Sequence, residues 1–150
     1  MVARSRRNVD ARAATPTPIR EVVLDADGLS KLIRRDRVVR AMIQEEVIAA
    51  GSRLFVPMVT VTQALADGAN RDEVQQVLRG ARGEALDDFG TSLLAARLII
   101  VTGHLDVVDA TVAAEALRRV PSIVITSDAG DIRLLLDADP RGKRVEVWKV

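Results

Sequence analysis

The chain lacks cysteine and tyrosine altogether, and in 150 residues it carries one histidine and three aromatic side chains. Without cysteine there is no disulfide scaffold, no thiolate zinc site and no thiol nucleophile. The single histidine, His104, excludes any scheme that needs two imidazoles. A Ser-His-Asp arrangement would have to use it, and no G-x-S-x-G turn is there to present a serine. With only Phe55, Phe89 and Trp148, stacking of bases on aromatic rings cannot be a main way of holding a nucleic acid strand. No window approaches the roughly 20 consecutive apolar residues that a membrane span requires, so a soluble, cytoplasmic protein without membrane association is expected. Acid chemistry by carboxylates is what these absences leave.

Neither sign of charge dominates, with 22 Lys and Arg against 21 Asp and Glu, but the balance is uneven along the chain. Residues 1–20 hold Arg4, Arg6, Arg7, Arg12 and Arg20 against Asp10 alone, a net of +4. The other 130 residues hold 17 basic and 20 acidic side chains, a net of −3. The first 20 residues, with Thr15-Pro16-Thr17-Pro18 and no apolar block, read as a disordered basic tail: a solvated extension or an arm for RNA. Residues 21–150 are long enough for one domain with a substantial core.

Within that domain, Glu21-Val22-Val23-Leu24-Asp25 reads as a buried strand leaving into a loop at Gly28. Val38, Val39, Met42, Ile43 and Val47 recur at helical spacing over 36–48, ahead of Gly51. Arg53-Leu54-Phe55-Val56 reads as a second strand, with Pro57 opening a helix to Gly68. Asn70 can cap a short helix ending near Gly80. Helices are expected over 91–102 and 106–119, a strand over 122–126, a short helix over 128–136 and a closing strand over 145–148. Strands alternate with crossovers long enough for parallel pairing, which predicts a single α/β domain with a small parallel sheet between helices. Ligands of such folds gather outside the carboxyl ends of the strands, where Asp25 and Asp128 are expected.

Asp106 and Asp109, three apart at a helix start, can project from one face. Four carboxylates from three distant segments can thus meet. Like charges so gathered raise one another's pKa and strain the fold unless a cation neutralises them, and hard divalent ions with oxygen ligands suit that task. Each residue also has a plainer reading. Asp25 can open a loop, Asp106 and Asp128 can cap helices, and Asp131 can sit solvated in a first turn.

With those residues in view, positions 21 to about 150 resemble a PIN-domain toxin of bacterial toxin–antitoxin pairs, similar to the VapC family. The segments that carry the resemblance are Val22-Val23-Leu24-Asp25-Ala26, Val56-Pro57-Met58-Val59-Thr60-Val61-Thr62-Gln63, Asp106-Val107-Val108-Asp109-Ala110 and Ile125-Thr126-Ser127-Asp128. The resemblance implies a PIN-like fold and a Mg²⁺- or Mn²⁺-dependent endoribonuclease that hydrolyses RNA with a metal-activated water. It also implies a cognate antitoxin and a homodimer. On it, Asp25, Asp109 and Asp128 are the catalytic carboxylates and, with Asp106, the metal ligands, Asp106 in an auxiliary role. Thr126 supports that corner through its hydroxyl, and Asp131 is a weaker candidate of the same kind.

The sequence departs from the family at Gln63, where a Glu is common on the helix after the second strand; an amide oxygen can coordinate but brings no charge. Asp67, Glu45 or Glu46 are candidates to compensate. The alternative is a PIN-like domain with weak or no catalysis that binds RNA or a protein partner. Arg34, Arg35, Arg37 and Arg40, or Arg79 with Arg82, or Arg118 with Arg119, can supply positive rims for phosphates or can be ordinary solvated helix faces. Trp148 reads as core or dimer packing, and His104 as a surface residue within reach of a carboxylate or phosphate. The apolar content, 48%, leaves room for a groove that a partner helix fills, with helices 58–68 and 91–102 as candidate walls.

Overall fold

The structure, a computed structural model, describes residues 19–81, 84–85 and 89–150. Residues 1–18 of the expected tail, and Arg82, lie outside the described residues. In chain order the elements are β1 (Glu21–Leu24), α1 (Ala26–Ile33), α2 (Arg37–Ile43), β2 (Arg53–Pro57), α3 (Met58–Ala66), α4 (Arg71–Gly80), β3 (Glu84–Ala85), α5 (Phe89–Thr102), α6 (Val107–Arg118), β4 (Ser122–Thr126), α7 (Ala129–Asp137) and β5 (Val145–Lys149). The strands form one parallel sheet in the order β3-β2-β1-β4-β5.

The two central strands are buried on both faces, which is why they read as unbroken apolar runs. Alternation divides their side chains between two layers. Val23 and Val124 join Ala113, Leu117, Ile132 and Leu135 beneath α5, α6 and α7, while Val22, Leu24, Ile123 and Ile125 join Leu29, Val61 and Val74 beneath α1, α3 and α4. Trp148 packs at the edge of the second layer, as expected of a core residue. Among the described residues no single helix is long and apolar enough to cross a membrane.

Three local outcomes differ from expectation. The segment after Asp25 is a helix, not a loop. Asp25 caps it by accepting from the Gly28 N–H at 2.6 Å. Gly28, the residue that argues against a helix, is there because a Cβ would stand 2.7 Å from the Ile125 carbonyl oxygen. The helix expected over 36–48 is α-helical only to Ile43 and widens into a π-helical stretch, Gln44–Ala49, in which Glu46 is buried against Arg20. The third is β3, two residues long and paired with Val56 and Pro57, which is too short to give a periodic signal.

Candidate metal centre

The strand order reverses between β1 and β4, since β1 leads outward to β2 while β4 leads the other way to β5. The carboxyl ends of these two strands therefore form the switch point at which α/β folds collect ligands. Leu24 pairs with Ile125, so the residues that follow, Asp25 and Thr126, emerge side by side. Thr126 is fully buried, its hydroxyl bonds the Asp25 carboxylate, and its Oγ1 accepts from the Asp128 N–H at 2.9 Å. One threonine thus ties both strand ends together.

The third contributor comes from α6. Asp106 caps the helix, accepting from Val108 N at 2.8 Å and Asp109 N at 3.0 Å, and this fixes the first turn that carries Asp109. Asp109 is half-buried and meets the ring of His104, with Nε2 and Oδ2 3.0 Å apart. Asp131, in the first turn of α7, completes a group: one ligand atom each from His104, Asp109 and Asp131 lie within 4.8 Å of one another.

The electrostatics agree with the geometry. Burial is the main cause that pushes the Asp25 carboxyl from 3.8 up to about 6; the bonds from Thr126 and Gly28 oppose it, while Asp27 and Asp109 add to it. Burial also raises Asp109, against the bond from His104, with help from Asp106 and Asp128. His104 is raised by its bond to Asp109, opposed by burial and assisted by the charges of Asp131, Asp109 and Asp106. Among the described residues no Arg or Lys forms an ion pair with Asp25, Asp106, Asp109, Asp128 or Asp131. A set of oxygen donors with one imidazole, held partly out of water with no Arg or Lys paired to it among the described residues, is compatible with a divalent metal ion.

The plainer readings are sorted by the same contacts. Asp25 and Asp106 are caps as well as members of the cluster. Asp128 occupies the cap position of α7 yet makes no capping hydrogen bond, so its exposed side chain is free for another partner. Gln63 lies on the exposed face of α3 and forms no hydrogen bond with the cluster among the described residues. Glu46 does not compensate for it: it is bonded to Arg20 at 2.7 Å, at the opposite end of the sheet. Asp67, after the last turn of α3, lines a polar cleft with Arg34 and Asn70 instead.

Two residues were under-read in the sequence. His104 is partly buried and bonds the Asp109 carboxylate, the contact the sequence allowed beside its default as a surface residue, where Gly103, at φ +73°, turns the chain after α5. Asp27, bonded to the Ser127 hydroxyl, adds charge at the rim. Of the arginines, Arg34 and Arg35 follow the far end of α1, and Arg118 and Arg119 the far end of α6, away from the acidic cluster. The apolar cleft is also elsewhere, a space of about 610 Å³ lined by Leu32, Ile43, Val47, Leu54 and Val77. Its walls are α1, α2, β2 and α4, not α3 or α5; α5 instead exposes Leu93, Ile100 and Val101.

The fold is similar to that in the crystal structure of FitAcB from Neisseria gonorrhoeae, with a TM-score of 0.59 and 18% identity, covering 85% of this chain and 96% of that one. The PIN-like α/β architecture expected from the sequence is borne out. No family model matches the chain, and no curated protein matches it.

Proposed function

We propose that this chain is a metal-dependent endoribonuclease toxin of a toxin–antitoxin pair, similar to the VapC family, which hydrolyses RNA phosphodiester bonds. The observation that supports the reading is that Asp25 and Asp128 follow β1 and β4 at the switch point of the sheet, with Asp109 near enough to raise Asp25 and to be raised by Asp128, and with no Arg or Lys paired to them among the described residues. These three are the proposed catalytic carboxylates and, with Asp106, the proposed donors for Mg²⁺ or Mn²⁺. When bound, such an ion polarises a phosphate oxygen, acidifies a water and stabilises the leaving oxygen. Asp25 holds its carboxylate in one orientation through Thr126 and Gly28. Asp106 keeps Asp109 in place by capping the turn that carries it, while Asp128 and Asp131 present further oxygens.

Exposed Arg34, Arg37 and Arg40 lie beyond the far end of α1 and offer positive surface to the phosphates of a longer RNA. The same reading carries a cognate antitoxin, a homodimer and a cytoplasmic location. Gln63 favours a second reading, in which the missing negative charge leaves a domain that binds RNA or a protein partner with weak or no catalysis.

The test is cleavage of end-labelled total RNA by antitoxin-free protein in Mg²⁺, Mn²⁺ or EDTA, beside Asp109→Asn prepared identically. Discrete metal-dependent products are expected, reduced in the variant by about a thousandfold, the worth of several kcal/mol of charge stabilisation. Folded protein that cleaves nothing shifts the weight to the binding module and makes Gln63→Glu the next variant. Equal cleavage by Asp109→Asn overturns the site assignment.

A further inference from the structure

We infer that His104 completes the donor set as a nitrogen ligand beside Asp109 and Asp131, so that the site takes a first-row transition ion such as Mn²⁺ in preference to Mg²⁺. The inference rests on the reading of this cluster as a cation site and narrows which ion it selects.

His104 is not a side chain that happens to be nearby. Gly103 closes the end of α5 through its N–H to the Ile99 carbonyl at 2.8 Å, the His104 N–H donates to Thr102 Oγ1 at 3.2 Å, and two residues later Asp106 caps α6. The short connection is thus anchored at both helices, and it delivers the only imidazole of the chain into a pocket of carboxylates. In the metal-free chain Nε2 and Oδ2 share a hydrogen bond of 3.0 Å, and an ion held by both atoms would take the place of that bond's proton. A carboxylate oxygen of Asp131 lies within 4.8 Å of both.

The donor chemistry then sets the preference. Mg²⁺ favours oxygen, demands near-ideal geometry and sheds its waters reluctantly, whereas imidazole suits transition ions. A neutral His104 adds no negative charge to the two carboxylates beside it, so the group gains little for Mg²⁺ and a nitrogen that Mn²⁺ can use.

Calorimetric titration of RNA-free wild type and His104→Gln with Mn²⁺ and with Mg²⁺, together with electron spin echo spectra of the Mn²⁺ complexes, tests this. Wild type is expected to bind Mn²⁺ at least about tenfold more tightly than Mg²⁺ and to show nitrogen modulation from a directly bound imidazole. His104→Gln is expected to lose about tenfold in Mn²⁺ affinity and the nitrogen signal, with Mg²⁺ affinity changed by less than about twofold. Wild-type spectra without nitrogen modulation overturn the inference, and this readout stands even if the variant misfolds; so do equal losses for the two ions in a folded variant. Cleavage of RNA with no nitrogen signal sinks this inference and leaves the nuclease standing. A nitrogen-ligated ion with no cleavage does the reverse, and failure of wild type to bind either ion sinks both.

Discussion

The two ends of the parallel sheet treat buried acid in opposite ways. At the amino ends of the strands each buried carboxylate has an arginine: Glu46 is bonded to Arg20, which also reaches Glu146, and Glu115, 1% exposed, is bonded to Arg119 and to the Thr91 hydroxyl. At the carboxyl ends Asp25, 6% exposed, and Asp109 sit near Asp27, Asp106, Asp128 and Asp131, and among the described residues His104 is the one basic side chain paired with them. Arg119 further packs its guanidinium 3.6 Å from the centre of the Phe55 ring. One end pairs its buried acids with arginines of the chain itself, although Arg20 Nε and Glu46 Oε2 stay buried without a hydrogen-bond partner. The other leaves its acids without an arginine, a cost that the proposed cation would relieve.

The comparison breaks most visibly at the paired end. Arg119→Met leaves Glu115 buried without its cation and is expected to cost about 3–5 kcal/mol. Adding Glu115→Gln should recover most of that loss in chemical denaturation. A single-variant loss below about 1 kcal/mol would show that the pair is not what holds this end.

At the acidic end the sign reverses. Burial raises the Asp25 carboxyl from 3.8 to about 6, so the metal-free fold favours its neutral form. The contribution of this group is fully present below pH 3.8, is lost as pH rises through about 6, and by pH 8 is worth a penalty of about 3 kcal/mol. Asp25→Asn keeps the acceptor for Gly28 and is expected to be more stable than wild type in EDTA at pH 8 by up to that amount, with the gap closing towards pH 4. Parallel pH profiles of the two proteins would remove the idea of a strained acid.

On the proposed function, adding a cation should act on this end alone. At about 100 times its dissociation constant, Mn²⁺ is expected to add about 2.7 kcal/mol to wild type and far less to Asp109→Asn. The gain should be intact in the Arg119→Met background, and its loss there would tie the two ends together. The smallest effects separate caps from ligands. Asp106→Ala should cost about 1 kcal/mol and Asp106→Asn almost nothing, whereas Asp128→Ala, which breaks no capping bond, should stay within about 0.5 kcal/mol while weakening Mn²⁺ binding.

Much of the fold was legible because its central strands are apolar on both faces and its caps are written locally. Asn70 accepts from Asp72 N and Glu73 N as its helix start requires, Asp36 does the same for Val38 and Val39, and Val22 to Leu24 and Ile123 to Ile125 are the buried core strands they read as. The first helix was not legible because Gly28 answers to a carbonyl of β4, a hundred residues away in sequence. The candidate acids were legible as strand-end and helix-start residues. That Asp128 leaves its cap position unused, that Glu46 is spent on Arg20 and that His104 turns onto Asp109 were not, since each depends on what stands opposite.

By itself, then, the sequence determined a parallel α/β domain whose carboxylates fall at element ends, because hydrophobic periodicity and capping act over a few residues. The tertiary structure decided which of those carboxylates share one space, which receive an arginine and which receive none. Charge and burial are settled by neighbours brought together only when the sheet closes.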